Sequence, residues 1–339
     1  MLSSHKYKFL AVFLLLMLCL FVNNAANNIH KTKLAPVTKT GFYFDTVIQI
    51  TLYNSPDETL FERCFALCEK YENMLSKTIK KSDVWNINHA AGQPVTVSPE
   101  TAYLLEKSIY YSKLTNGAVD TTIAPLSSLW DFSVQTPVVP DKKDIQEKLL
   151  HVNYKNIEIN TTDTATSVTL TDPNASLDLG FIAKGYIADK LKELLVDAGA
   201  ENAIINLGGN VMTIGTKPDG TDYRIGIQKP FASQGESITA LTVNNSSLVS
   251  SGIYERYFTT TAGTLYHHIL NTKTGYPIQN NLLSVTILSE NSIDGDALST
   301  ACFALGLEEG MALVESLESI EAIFITNDNK LHYSSGLQP

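Results

Sequence analysis

Cysteine is scarce in this chain: four in 339 residues. Cys19 falls in the leader, which leaves Cys64, Cys68 and Cys302. An odd count argues against a disulfide framework, and Cys64 and Cys68, one helical turn apart within the apolar pattern Leu60, Phe61, Phe65, Leu67, read as buried thiols. Basic excess is also lacking. The formal charge is −10, and residues 1–26 hold Lys6 and Lys8 but no acid, so the remainder is more acidic still. No basic patch offsets that field, which argues against nucleic acid as a partner. Short-period repeats, low-complexity stretches and long linkers are absent. So are a Walker lysine motif, a G-x-S-x-G elbow, C-x-x-C and H-E-x-x-H. Gly180 and Gly185 stand alone where a dinucleotide fold needs G-x-G-x-x-G.

What is present begins with export. His5, Lys6 and Lys8 precede the apolar run Phe9 to Val22, a basic n-region and an h-region too short for a comfortable membrane span. Residues 1–26 are therefore a signal or anchor segment. Three fates stay open: lipidation at Cys19 in a loose lipoprotein box, ordinary cleavage near Ala25–Ala26, or retention as an anchor. Residues 27–40 read as a polar tether, so the expected location is membrane-tethered on the extracytoplasmic face. The remainder, 41–339, is 44% hydrophobic when counted over the whole chain and can bury a full core.

Periodicity predicts a strand over Thr46–Tyr53, a helix over Pro56–Ser76, and a second helix over Ser98–Thr115 with Ser98 as cap and Pro99 at its first position. A loop is expected over Gly117–Phe132 and a hairpin over Asn156–Thr171. The block from Ala175 to Gly215 reads as strand, turn, helix, turn, strand, with Gly199 closing the helix and Gly208-Gly209 bending the chain. Strands follow near Tyr223–Gln228, Leu241–Val243 and Leu282–Leu288. Two helices, the first running to Leu305 and the second over Glu309–Leu317, and a strand at Ala322–Thr326 close the chain. Strand runs with paired helices imply an α+β class.

Three stretches carry chemistry. "SIDGDALST", Ser292 to Thr300, places carboxylates and hydroxyls in the first turns of a helix. Ser292 or Asp294 could cap it, and capping is the simpler reading of the stretch alone. Asp296 and Thr300, four apart on one face, also offer the hard oxygens that magnesium prefers. Asp178 and Lys184 flank a helix mouth that could seat phosphate, or are a capping aspartate beside a surface lysine. "SSGIYERYF", Ser250 to Phe258, is followed by "LYHHILNTKTGYP", in which His267 and His268 point to opposite strand faces. Spacing does not choose between the two histidines.

The order of these blocks resembles the ApbE family of FAD:protein FMN transferases. The likeness runs from about Gly41 to Leu305 and rests on "FDT", "GAVDTTIAPLSSLWDF", "SLDLGFIAKGYIADKL", "INLGGNV", "IGIQKP", "SSGIYERYF", "HHILNTKTGYP" and "DALST". The resemblance implies two related T-fold-like α+β halves in one compact unit, with the active site between them. It implies magnesium-dependent transfer of FMN from FAD to a threonine or serine hydroxyl of an exported acceptor protein, with AMP released. By the same resemblance His268 is the catalytic base. Asp296, Thr300 and the backbone oxygen of Phe181 hold the metal, while Phe44, Ala118, Val119, Asp120, Asp178, Lys184 and Ile269 contact the flavin nucleotide. Departures are Asn271-Thr272 where many relatives have Asp-Pro, Asp131 where they have Gly, and Ser299 where some carry an acid. An Asx turn at Asn271 is expected to absorb the first. The acceptor pattern Asp-x-x-Ser/Thr-Gly-Ala-Ser/Thr occurs nowhere in the chain, which argues against self-flavinylation. A FAD pyrophosphatase and a non-catalytic exported FAD-binding protein remain the alternatives.

Overall fold

The computed structural model describes residues 35–53, 57–132, 134 and 136–337. The leader and most of the tether lie outside them. Among the described residues no helix is long and apolar enough to cross a membrane.

One eight-stranded sheet organises the chain. Its strands are β1 (Val37–Tyr43), β2 (Thr46–Leu52), β3 (Ala203–Leu207), β4 (Asn210–Ile214), β5 (Ser247–Gly252), β6 (Leu282–Ser289), β7 (Glu321–Thr326) and β8 (Leu331–Tyr333). They lie side by side in that order, and every neighbouring pair is antiparallel. The principal helices are α1 (Thr59–Leu75), α2 (Pro99–Leu114), α3 (Ala183–Asp197), α4 (Ser292–Leu305) and α5 (Leu307–Glu315). Strands β1–β2, the helices up to α3 and strands β3–β4 form one half. Strands β5–β6, helices α4–α5 and strands β7–β8 repeat that order as the other. The α+β class is thus observed, in two halves of like topology.

Alternation explains how the sheet holds its helices. Ile48, Ile50 and Leu52 on β2 and Ala203, Ile205 and Leu207 on β3 are buried at every second position. They share one core with Leu191 and Leu195 of α3 and Ala297, Leu298 and Phe303 of α4. On the second half, Ile323, Ile325 and Leu248 form a separate cluster with Ile227 of the hairpin Tyr223–Gln228/Ser237–Val243. Covering both faces of the second half is what allows β7 to read as a continuous apolar run.

Most predicted elements are present within a few residues. Ser98 caps α2 by accepting from the Thr101 N–H, and the hairpin Ile157–Thr161/Thr166–Leu170 forms as expected. Gly199 (φ 82°) and Gly208 (φ 62°) take the left-handed backbone their turns require. Three expectations are corrected. Strand β1 begins at Val37, inside the segment read as tether; its sparse burial gives no apolar alternation to find it by. The expected loop at Gly117–Phe132 contains a short helix, Ala124–Ser127. Ala175–Leu179 is no strand. The Leu177 N–H donates to Asn88 Oδ1 (2.6 Å) and its carbonyl accepts from Asn88 Nδ2 (3.0 Å), so a side chain has taken the bonds a ladder would use. One parallel bridge, Ile123 to Ser176, is all that remains of the strand.

Cys64, Cys68 and Cys302 are free and fully buried, and burial pushes each thiol up to about 12. Protein without its leader should therefore give no colour with a disulfide reagent until denaturant is added, after which three thiols react.

Candidate active site

The site forms where α3 of the first half meets α4 of the second. Gly185 in the first turn of α3 lets the helices touch, since a Cβ there would stand 2.3 Å from the Ser292 carbonyl oxygen and 2.7 Å from Asp296 Cβ. Each helix start is then served by an acid from the other. The Gly185 N–H, a first-turn donor without an intrahelical partner, donates to Asp296 Oδ2 (2.9 Å). The Ser292 and Ile293 N–H groups of α4 donate to the two carboxylate oxygens of Asp189 on α3 (2.7 and 2.9 Å).

The expected caps of α4 are therefore corrected. Neither Ser292 nor Asp294 caps it. The Ser292 hydroxyl donates to Asn210 Oδ1 (2.5 Å), and Asp294 accepts from the Tyr111 hydroxyl (2.5 Å). Asp189 and Gly185 were not singled out as functional by sequence reasoning. A glycine inside a helical pattern was the available signal for the second; nothing local marks the first.

Asp296 is 3% exposed, and Lys184 Nζ lies 3.5 Å from its Oδ1. One turn on, Thr300 Oγ1 is 3.1 Å from the Ser251 hydroxyl, which also meets Ser299 at 2.8 Å. Among the described residues no three His, Cys, Asp or Glu side chains cluster as a metal cage. What the site offers instead is one buried carboxylate and hydroxyls, and the Gly185 N–H is spent on Asp296, not on the Phe181 carbonyl four residues before it. That all-oxygen set suits a hard cation which completes its shell with water and phosphate oxygens, so the residues present fit magnesium.

Asp178 does not pair with Lys184 and does not cap α3, whose N-terminal residue Ile182 makes no side-chain cap. Its Oδ2 accepts from Lys77 Nζ (2.6 Å) and the Ser127 hydroxyl (2.8 Å), and its Oδ1 from the Gly180 N–H (2.9 Å). Burial pushes this carboxyl up, but Lys77 and these donors outweigh it and hold it below the usual carboxylate range. Backbone joins it to the next segment, the Asp178 N–H donating to the Thr121 carbonyl (2.7 Å). Asp120 accepts from the Thr122 N–H and hydroxyl and from the Tyr154 N–H. With three donors on its carboxylate, it shapes the Ala118-Val119-Asp120 turn.

Phe44 sits at φ 55° in the β1–β2 turn, as does Asp45. An aromatic residue there is an outlier that surrounding structure must hold in place. The Phe44 N–H donates to Glu72 Oε1 (2.7 Å), and Arg256 reaches the Asp45 carbonyl from the second half at 3.5 Å. Asn271 Oδ1 accepts from the Lys273 and Thr274 N–H groups (2.8 and 3.1 Å), the expected Asx turn.

The two histidines differ in a way spacing could not reveal. Buried His267 has both ring nitrogens engaged: Nε2 donates to the Ile278 carbonyl (2.8 Å), and Nδ1 accepts from the Ile269 N–H (3.3 Å). In His268, Nδ1 faces the Arg256 carbonyl at 3.3 Å. A carbonyl only accepts, so the proton is on Nδ1 and Nε2 carries a lone pair. Burial first, then His267, Arg256 and Lys184, push the His268 imidazole down to about 4. At neutral pH the ring is unprotonated.

The model of the ApbE family matches residues 44–324. The chain belongs to that family. It is 42% identical over 289 residues to an FAD:protein FMN transferase of Klebsiella pneumoniae, covering 85% of this chain and 88% of that one. A Treponema pallidum protein of the same name is 31% identical over 81% of this chain and 79% of its own. Among solved structures, the ApbE protein of Thermotoga maritima superposes with a TM-score of 0.81 at 29% identity, covering 89% of this chain and 98% of that one. The flavin transferase ApbE of Vibrio cholerae gives 0.79 at 28%, with 89% and 97% covered. The ApbE match spans both halves, and so includes both helices that build the site.

Proposed function

We propose that this chain transfers the FMN portion of FAD to a threonine or serine hydroxyl of an exported acceptor protein, in a magnesium-dependent reaction that releases AMP. The observation that carries the reading is the fixed tautomer of His268, which leaves Nε2 free as a base while His267 spends both nitrogens on structure. The names of the relatives supply the flavin donor and the protein acceptor.

An alcohol attacks phosphorus poorly unless its proton leaves during attack, and a positioned imidazole contributes typically 10²–10⁴-fold in such a step. The acceptor oxygen bonds to the phosphorus on the FMN side and its proton passes to His268 Nε2. The bond from that phosphorus to the bridging oxygen breaks, and AMP departs with the electron pair. Lys184 and the start of α3 face the pyrophosphate with positive charge, as a helix N-terminus favours. Asp296, Thr300 and the Phe181 carbonyl would hold magnesium, which when bound neutralises charge on the phosphoryl oxygens. Phe44, the Ala118-Val119-Asp120 turn, Asp178 and Ile269 line the nucleotide. Lys77 and Ser127 fix the Asp178 carboxylate, so that contact is preorganised. The basic n-region and apolar run of the leader support a location on the extracytoplasmic face of a membrane.

Intact-mass spectrometry of an acceptor domain incubated with the protein, FAD and magnesium should show a gain of one FMN, abolished by EDTA. Free FMN and AMP without a mass gain would make the activity a pyrophosphatase. Intact FAD retained on the protein would make it a binding module.

A further inference from the structure

We infer that Asp189 is a positioning residue for the metal site, holding Asp296 and Thr300 in register from the opposite half of the fold. The inference rests on the magnesium reading above. Helix α4 has no side-chain cap of its own: Asn291 stands at the N-cap position with extended backbone (φ −105°, ψ 136°), yet its side chain accepts from none of the first-turn N–H groups. Those donors go to Asp189, both of whose carboxylate oxygens are used. A local cap would satisfy the same N–H groups without tying the start of α4 to α3. Asp189 instead ties the start of α4 to a point one turn along α3 from Gly185, whose own N–H is bound by Asp296.

The two bonds sets cross the same seam in opposite directions. Asp296 lies four residues after Ser292, and Asp189 lies four residues after Gly185, so each helix carries its acid one turn beyond the donors it offers. Two crossed attachments fix both the translation and the rotation of one helix on the other; one alone permits a pivot. The other polar contacts of α4 reach different elements: Ser292 bonds to Asn210 and Ser247 (2.5 and 2.9 Å), Asp294 to Tyr111 (2.5 Å), Ser299 and Thr300 to Ser251 (2.8 and 3.1 Å), and the Phe303 carbonyl to Asn280 (2.8 Å), while toward α3, among the described residues, only the Lys184–Asp296 pair (3.5 Å) adds to the two attachments above. Asp189 touches neither proposed ligand and acts through the helix that carries them; groups bonded directly to metal ligands are typically worth 10–100-fold in metal affinity, and the low end of that range sets the scale here.

The test separates positioning from capping. Magnesium is titrated calorimetrically onto wild type, Asp189→Ala, and Asp189→Ala combined with Asn291→Asp, with melting temperature read in parallel. Asn291→Asp supplies a local cap at a backbone position suited to one. Asp189→Ala should lower the melting temperature by about 2–6 °C and weaken magnesium binding about tenfold or more. The double variant should recover the melting temperature and leave magnesium binding weak. Asp189→Asn, which keeps the volume and one acceptor oxygen, should fall between wild type and Asp189→Ala in affinity. Magnesium binding within twofold of wild type in Asp189→Ala, or recovered together with the melting temperature in the double variant, would overturn the positioning role. Absence of magnesium binding to wild type would overturn the metal reading itself, which separates the two failures.

Discussion

Gly185→Ala is expected to destabilise the protein and remove its activity together, although helix propensity alone predicts the reverse. Gly185 lies within α3, where alanine would be preferred by about 1 kcal/mol. Against that stands the space. A Cβ at 185 would be 2.3 Å from the Ser292 carbonyl oxygen and 2.7 Å from both Ile293 Cα and Asp296 Cβ. The nearest obstacles are backbone atoms of a helix packed in the core, so no side-chain rotation relieves the clash. Overpacking of well-packed interiors typically costs about 1–3 kcal/mol and more where backbone must shift. A net loss of about 2–3 kcal/mol is expected, or roughly 5–10 °C in melting temperature. Relief requires α4 to move away from α3, and that carries Asp296 off the Gly185 N–H and away from Lys184. Transfer activity should then fall by about 10²-fold or more, since small displacements at a reacting centre can cost that much. The check is thermal melting beside flavin transfer. A variant as stable and as active as wild type would mean that the helices do not approach as closely as described.

The same seam shows which parts of the site were legible in the sequence. "DALST" places a carboxylate and a hydroxyl at helical spacing, and Asp296 and Thr300 do stand one turn apart on α4. Their partners are Lys184 and Ser251, distant in sequence and brought close only by packing of the two halves. Asp178 and Lys184 looked like neighbours because six residues separate them. In the fold they serve different partners, Lys77 and Asp296, because the chain turns between them at Gly180 and Phe181. Strands with one wet and one dry face, such as β2, declare themselves by alternation. Segments satisfied by side chains, such as Ala175–Leu179 with Asn88, carry apolar residues but no ladder, and local pattern cannot distinguish the two. Capping was read in the right place but assigned to the wrong residue, since the sequence offers local acids first and the fold used one about a hundred residues away.

His268→Ala is expected to lower the rate of flavin transfer by about 10²–10⁴-fold with little change in stability or in the affinity for FAD. The ring's hydrogen bond in the fold is a single 3.3 Å contact to the Arg256 carbonyl, so its removal leaves the core intact. His267→Ala supplies the contrast. That ring is 3% exposed and bonded at both nitrogens, so its loss should lower stability while leaving a base at 268. The pH profile gives a second, independent check. An ordinary histidine titrates near 6.5, whereas burial, His267, Arg256 and Lys184 push His268 down to about 4. In the free enzyme the base is therefore already unprotonated at pH 6, and kcat/KM for FAD should be flat from about pH 6 to 8, falling only as pH drops toward 4. A bound pyrophosphate opposes the field of Lys184 and Arg256, so the acid limb of kcat should lie at higher pH than that of kcat/KM. Stability follows the same group with a definite sign. The folded value lies below the unfolded one, so the unfolded chain takes up the proton first, and the contribution is fully present above about 6.5 and lost as pH falls toward 4. A kcat/KM limb near 6.5 that persists in His268→Ala would assign the titrating group elsewhere, and an undiminished rate in that variant would remove His268 from the chemistry.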